Sequence, residues 1–172
     1  IGELLESLAE SKIKDIRFFL VDERDVSIES SRSNSSMIMK TIGRNLVVPF
    51  DPTHQSPESY YQHMRQKLGP AGIFDLVVLG CGEDGHTASL FPNTLLLKEK
   101  SSSFTKNKLP SGELRYSITF SVINNAIRRV VFVNDNPEKL KYFRPDSTKS
   151  RAYPIHQVLS TLNTKVILHE AI

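Results

Sequence analysis

Apolar residues in this 172-residue chain fall in short blocks, separated by polar, glycine- or proline-marked connections. Leu4, Leu5 and Leu8 recur at helical spacing over residues 3–10, and Lys12 and Lys14 interrupt the pattern. The run Ile16-Arg17-Phe18-Phe19-Leu20-Val21 reads as one buried strand ending on the acidic pair Asp22-Glu23. Ser33-Asn34 has the chemistry of a helix start, with Met37, Ile38 and Ile42 on one face and Gly43 as the stop. Residues 49–57 are turn-rich. Ser56 then caps a helix that has Pro57 in its first turn and runs to about Leu68, closed by Gly69-Pro70-Ala71-Gly72. Phe74-Asp75-Leu76-Val77-Val78-Leu79 is the clearest buried strand, and a glycine-rich loop follows it directly.

Downstream, residues 101–112 are polar enough to predict a mobile loop. Residues 116–120 alternate as a strand does, and residues 122–127 suit a short helix. Val130-Val131-Phe132-Val133 predicts another buried strand, residues 137–143 a helix, and residues 165–169 a last short strand. Strands alternating with helices predict an α/β fold built on a mostly parallel sheet flanked by helices. Ligands of such sheets bind beyond the carboxyl ends of the strands. Asp22-Glu23-Arg24 and the loop after Leu79 both fall at such ends.

The length suits one domain over residues 1–172, and an apolar content of 39% supplies an ordinary core. A formal net charge of +3, with the cations scattered, is too weak a field to predict a nucleic-acid partner but suits a small anionic substrate. No apolar stretch has the length of a membrane span, so no membrane partner is expected. The single cysteine, Cys81, excludes an internal disulfide and makes a reducing, cytoplasmic setting the expectation.

The chemistry concentrates in Gly80-Cys81-Gly82-Glu83-Asp84-Gly85-His86-Thr87-Ala88-Ser89. Its glycines spell GxGxxG, but no acidic residue stands convincingly about twenty positions on, as a dinucleotide site requires. The loop also nearly spells a P-loop, with His86 where the phosphate-reaching lysine belongs. An imidazole there can take a proton from water near neutral pH, and glycines can aim backbone N–H groups at an anion. Base and anion-binding amides together make an acyl-hydrolysis site, although His86 could equally cap the turn. Asp84 has the same two readings: orienting His86 or forming the turn. Cys81 reads as a small apolar residue closing a strand rather than as a nucleophile. No GxSxG elbow occurs, and Glu83, Asp84 and His86 lack a recognised metal-ligand spacing, so neither a metal nor another cofactor is predicted.

The segment GCGEDGHTASLFP, from Gly80 to Pro92, resembles the GxGxDGHTASLFP motif of the 6-phosphogluconolactonase family. Asp22-Glu23-Arg24-Asp25-Val26 with Ser33-Asn34 is similar to the family's DERxV…SN element. Residues 115–126, RYSITFSVINNA, resemble its RxTLT strand and VxNxA helix, and Pro137-Glu138-Lys139 its EK step. Tyr153-Pro154 falls where a proline usually precedes the last strand. The resemblance implies a Rossmann-like domain that hydrolyses 6-phospho-D-glucono-1,5-lactone in the oxidative pentose phosphate pathway without a cofactor. His86 is implied as the general base and Asp84 as its catalytic companion. Arg24, Arg115 and Lys139, together with Gly82 and Gly85, are implied to hold substrate and phosphate.

The family also carries an SGGSTP-like phosphate loop after a first strand. This chain opens Ile1-Gly2-Glu3, on the helix that would follow it, so the expectation is a domain without that N-terminal strand and loop. Lactonase domains of the family can be fused to glucose-6-phosphate dehydrogenase, which implies fusion to or association with that enzyme as a partner. Two rivals stand beside this reading. Glucosamine-6-phosphate deaminase/isomerase loops read GxGxDGHIAFNEP, against which Thr87, Ser89, Leu90 and Phe91 side with the lactonase. A non-catalytic sugar-phosphate-binding domain is the other.

Overall fold

The computed structural model describes residues 6–7, 15–144 and 153–169. The helix read over residues 3–10 lies outside the described residues except for Glu6 and Ser7, which are helical. The described residues then hold eight strands: β1 (Phe18–Phe19), β2 (Asp22–Arg24), β3 (Val47–Val48), β4 (Leu76–Gly80), β5 (Phe104–Lys108), β6 (Leu114–Ile118), β7 (Arg128–Asn134) and β8 (Thr164–His169). Five α-helices alternate with them: α1 (Asn34–Ile42), α2 (Pro57–Lys67), α3 (Phe120–Asn125), α4 (Pro137–Leu140) and α5 (Pro154–Leu159). Strands β4, β7 and β8 form a parallel sheet in that order, and β1 pairs in parallel with β3. Strands β2, β6 and β5 form a separate antiparallel sheet. The fold is the expected mixed α/β class with parallel sheets flanked by helices, plus an antiparallel platform.

The helix caps lie at the residues whose chemistry predicts them. The Ser33 side chain accepts from the Ser36 N–H, Gly43 ends α1 at φ 96°, and Ser56 caps α2 through the Ser59 N–H. The inward face of α1 is less apolar than its pattern suggests. Ser35, Ser36 and Ile42 are buried, whereas Met37 is 49% exposed. The Ser35 hydroxyl earns that burial by bonding both the N–H and the carbonyl of Phe50, at 3.0 and 2.9 Å.

Two elements differ from expectation. The single strand expected over residues 16–21 is divided. Phe18 and Phe19 pair with Val47 and Val48, while Asp22–Arg24 cross to β6. Tyr60 occupies the junction, accepting from the Leu20 N–H and donating to the Val48 carbonyl, both at 2.9 Å. The mobile loop expected over residues 101–112 contains strand β5, which makes a full ladder with β6. Its Phe104 meets Phe50 and Tyr60 edge-to-face with ring centroids 4.9 and 4.8 Å apart, and Phe50 meets Tyr116 in the same way at 4.9 Å. Burying one such ring contributes roughly 2–3 kcal/mol, which adds to the β6 ladder in holding a polar strand in place.

Candidate active site

Strand β4 runs parallel to β7 and delivers its last residue, Gly80, beside Phe132. The chain then folds back on itself. The Gly82 N–H donates to the His86 carbonyl (2.9 Å), the Gly85 N–H to the Gly82 carbonyl (3.0 Å) and the Thr87 hydroxyl to the Gly80 carbonyl (2.8 Å). Gly85 takes φ +78°, in the left-handed region open to glycine, and its carbonyl accepts from the Ile155 N–H. A Cβ at Gly82 would lie 2.2 Å from both Cε1 and Nδ1 of His86, so the imidazole packs where only a glycine leaves room. With their N–H groups bonded inside the loop, Gly82 and Gly85 contribute space and curvature to the site.

His86 is held on two sides. Its Nδ1 lies 2.5 Å from Asp84 Oδ1, and its ring stacks on Phe91 at a centroid distance of 4.0 Å. The same Asp84 oxygen accepts the His86 backbone N–H at 3.1 Å, so turn formation and ring orientation are one interaction. An ionised carboxylate only accepts, so Nδ1 carries the proton of this contact, and in the neutral ring that leaves the lone pair on Nε2. The His86 side chain is 29% exposed, which leaves it reachable from solvent. Cys81 is buried, and that burial pushes its thiol up to about 12, far from a thiolate at neutral pH.

A second cluster lies on the antiparallel sheet. Arg24 and Arg115 are direct cross-strand partners on β2 and β6. Like charges placed opposite each other destabilise a sheet pair. Arg24 Nη1 donates to the Arg32 carbonyl (2.8 Å) and to Asn34 Oδ1 (2.6 Å), and Arg115 Nη2 to Glu113 (3.2 Å). The Nε of each is buried and has no hydrogen-bond partner among the described residues. Leaving such a group unsatisfied costs about 1–3 kcal/mol, which oxygens of a bound anion would offset. Asp22, two residues from Arg24, faces the same side. Burial raises its pKa, against which the Ser89 hydrogen bond and the Arg24 charge act.

Glu23 has a structural task. It is fully buried and accepts from the backbone N–H groups of Arg24, Asn34 and Ser35 and from the Ser33 hydroxyl, at 2.7–3.0 Å. The carboxylate therefore sits on the positive end of α1 and fixes Asn34, which in turn holds Arg24. Lys139 belongs to helix α4. It donates to Asn134 Oδ1 at 2.9 Å, and its charge acts on Cys81 at the foot of the His86 loop. Ser89, Asn107 and Asn34 bind these pieces together, and none of them stood out in the sequence as part of the site. Asn34 and Ser89 lay inside recognised motifs; Asn107 gave no signal in a polar stretch.

The family model for glucosamine-6-phosphate isomerases/6-phosphogluconolactonase matches residues 1–167. A 6-phosphogluconolactonase of Chlamydia pneumoniae is 34% identical over 153 residues, covering 83% of this chain and 59% of the relative. One from Chlamydia trachomatis is 33% identical over 160 residues, covering 89% and 62%. The chain thus spans about three fifths of the length of these curated relatives. Among solved structures, a 6-phosphogluconolactonase of Thermotoga maritima superposes with a TM-score of 0.78 at 25% identity, covering 99% of this chain and 80% of that one.

Proposed function

The chain belongs to the glucosamine-6-phosphate isomerase/6-phosphogluconolactonase family, and from that premise we propose that it hydrolyses 6-phospho-D-glucono-1,5-lactone to 6-phosphogluconate in the oxidative pentose phosphate pathway. The observation that carries this reading is the His86–Asp84 pair at the carboxyl end of β4, tied to a sheet that presents two arginines with unpartnered Nε groups. His86 Nε2 takes a proton from water, and the resulting hydroxide attacks the lactone carbonyl. Asp84 holds Nδ1–H and stabilises the imidazolium that forms. The imidazolium then returns the proton to the ring oxygen as the C–O bond breaks.

The N–H groups of Glu83 and Asp84, unlike those of Gly82, Gly85 and His86, are not engaged within the loop and are the donors proposed for the oxyanion. Arg24 and Arg115 take the substrate's anionic groups, a task suited to paired guanidiniums. Lys139, whose charge acts on Cys81 in the same loop, adds a point charge. In the same reading the protein works in a reducing, cytoplasmic setting beside glucose-6-phosphate dehydrogenase, fused to it or associated with it.

The test is hydrolysis of freshly generated 6-phosphogluconolactone against a no-enzyme blank, because such lactones also open unaided. Acceleration over the blank is expected. No acceleration, combined with deamination of glucosamine 6-phosphate, would transfer the assignment to the isomerase branch. Binding without turnover of either would leave a sugar-phosphate-binding domain.

A further inference from the structure

Ser89 is 1% exposed and makes three hydrogen bonds, each to a different strand of the antiparallel sheet. Its hydroxyl donates to Asp22 Oδ2 on β2 at 2.8 Å. Its backbone N–H donates to the Ser117 hydroxyl on β6 at 3.3 Å. Its carbonyl accepts from Asn107 Nδ2 on β5 at 2.8 Å. Immediately before it, Ala88 takes the left-handed φ of 49°, uncommon for a residue with a Cβ. The Leu90 N–H closes the turn on the Thr87 carbonyl at 3.0 Å. A backbone held in that region needs its surroundings to over-determine it, and the three bonds at Ser89 do so.

The two halves of the proposed site ride on different sheets. His86 follows β4 of the parallel sheet, whereas Arg24 and Arg115 belong to the antiparallel one, and among the described residues no backbone ladder joins the two. Ser89 lies three residues after His86, and Asp22 two residues before Arg24. Asn34 extends the chain of contacts, donating to the Asp22 carbonyl at 3.0 Å while accepting from Arg24.

We propose that Ser89, bonded through its hydroxyl to Asp22, is the positioning residue that sets the His86 loop against the Arg24–Arg115 pair. Proton transfer tolerates little displacement once the anion is anchored, so loosening this joint lowers turnover while the anion site itself stays intact. The inference rests on the lactonase reading for its catalytic consequence and on geometry alone for the joint.

The variants are Ser89→Ala, which removes the hydroxyl and keeps both backbone bonds, and Asp22→Asn, which keeps an acceptor oxygen for that hydroxyl. Two quantities are read on the full chain: backbone hydrogen exchange of residues 86–90, and kcat and KM for the lactone with inorganic phosphate as competitor. In Ser89→Ala, exchange of residues 86–90 is expected to rise about tenfold while the β4–β7 ladder keeps its protection. Turnover should fall about tenfold, with KM and phosphate inhibition within about twofold of the parent. In Asp22→Asn, exchange of residues 86–90 should stay within about threefold of the parent. Unchanged exchange of residues 86–90 in Ser89→Ala overturns the joint, as does an equal rise across the whole chain. A higher KM at unchanged kcat overturns the positioning role. If the parent chain does not accelerate lactone opening, the lactonase reading fails on its own, and the exchange data still decide the joint.

Discussion

Gly82→Ala separates catalysis from stability at one position. The added Cβ would lie 2.2 Å from His86 Cε1 and Nδ1 and 3.0 Å from Asp84 Oδ1. Ordinary contact begins near 3.4 Å, so the imidazole must withdraw by roughly 1 Å or rotate off Asp84. The ring can do so because it is partly exposed and only stacked on Phe91. The folding penalty is then bounded by one hydrogen bond to a charged group and some local overpacking, about 1–3 kcal/mol. The catalytic penalty is larger, because about 1 Å of displacement of a reacting group costs on the order of 10²-fold in rate. Lactone hydrolysis followed by initial rate, alongside urea melts of both proteins, should show kcat down about 100-fold with the fold retained. A variant within about twofold of the parent rate would refute the role assigned to the His86–Asp84 geometry.

Replacing either Arg24 or Arg115 by Ala should raise KM and weaken inorganic phosphate inhibition about tenfold or more, with kcat less affected; unchanged phosphate inhibition in both would remove the anion site from the arginine pair. Asp22 makes a stability prediction with a definite sign. Burial raises its pKa above 3.8, so the folded state favours the protonated form, and the stability this contributes at low pH is lost as pH rises through the raised value. Asp22→Asn should therefore gain on the parent in urea midpoints as pH rises from the ordinary carboxylate range through the raised value, and a pH-independent gap would contradict it.

The sequence carried the site loop more fully than it carried the sheets. Residues 80–92 are legible because glycines, Asp84 and His86 do their work locally, within a few residues of one another. Elements whose identity depends on distant partners were not. The apolar run over residues 16–21 reads as one strand, but the chain changes sheets where Tyr60, forty residues away, takes the Leu20 N–H. Strand β5 carries Thr105, Lys106, Asn107 and Lys108, a polar composition that periodicity reads as loop. Exposed lysines suit an edge strand, and Asn107 is buried because Ser89 and Thr94 satisfy it, which no local pattern announces. Helix α5, six residues opening on Pro154, is too short to show a period, although Ile155 and Val158 are fully buried. For the same reason only motif likeness points to the arginine pair in the sequence. Its cross-strand register, with both Nε groups unpartnered, emerges only once β2 and β6 are paired.

The central claim is that His86 is the base of a lactone hydrolase. Its most direct test is the rate of opening of freshly generated 6-phosphogluconolactone by the parent chain and by His86→Ala, each against the no-enzyme blank. Clear acceleration by the parent is expected, with a loss of about 10²-fold or more in the variant and phosphate inhibition retained. Equal rates in the two proteins would contradict it.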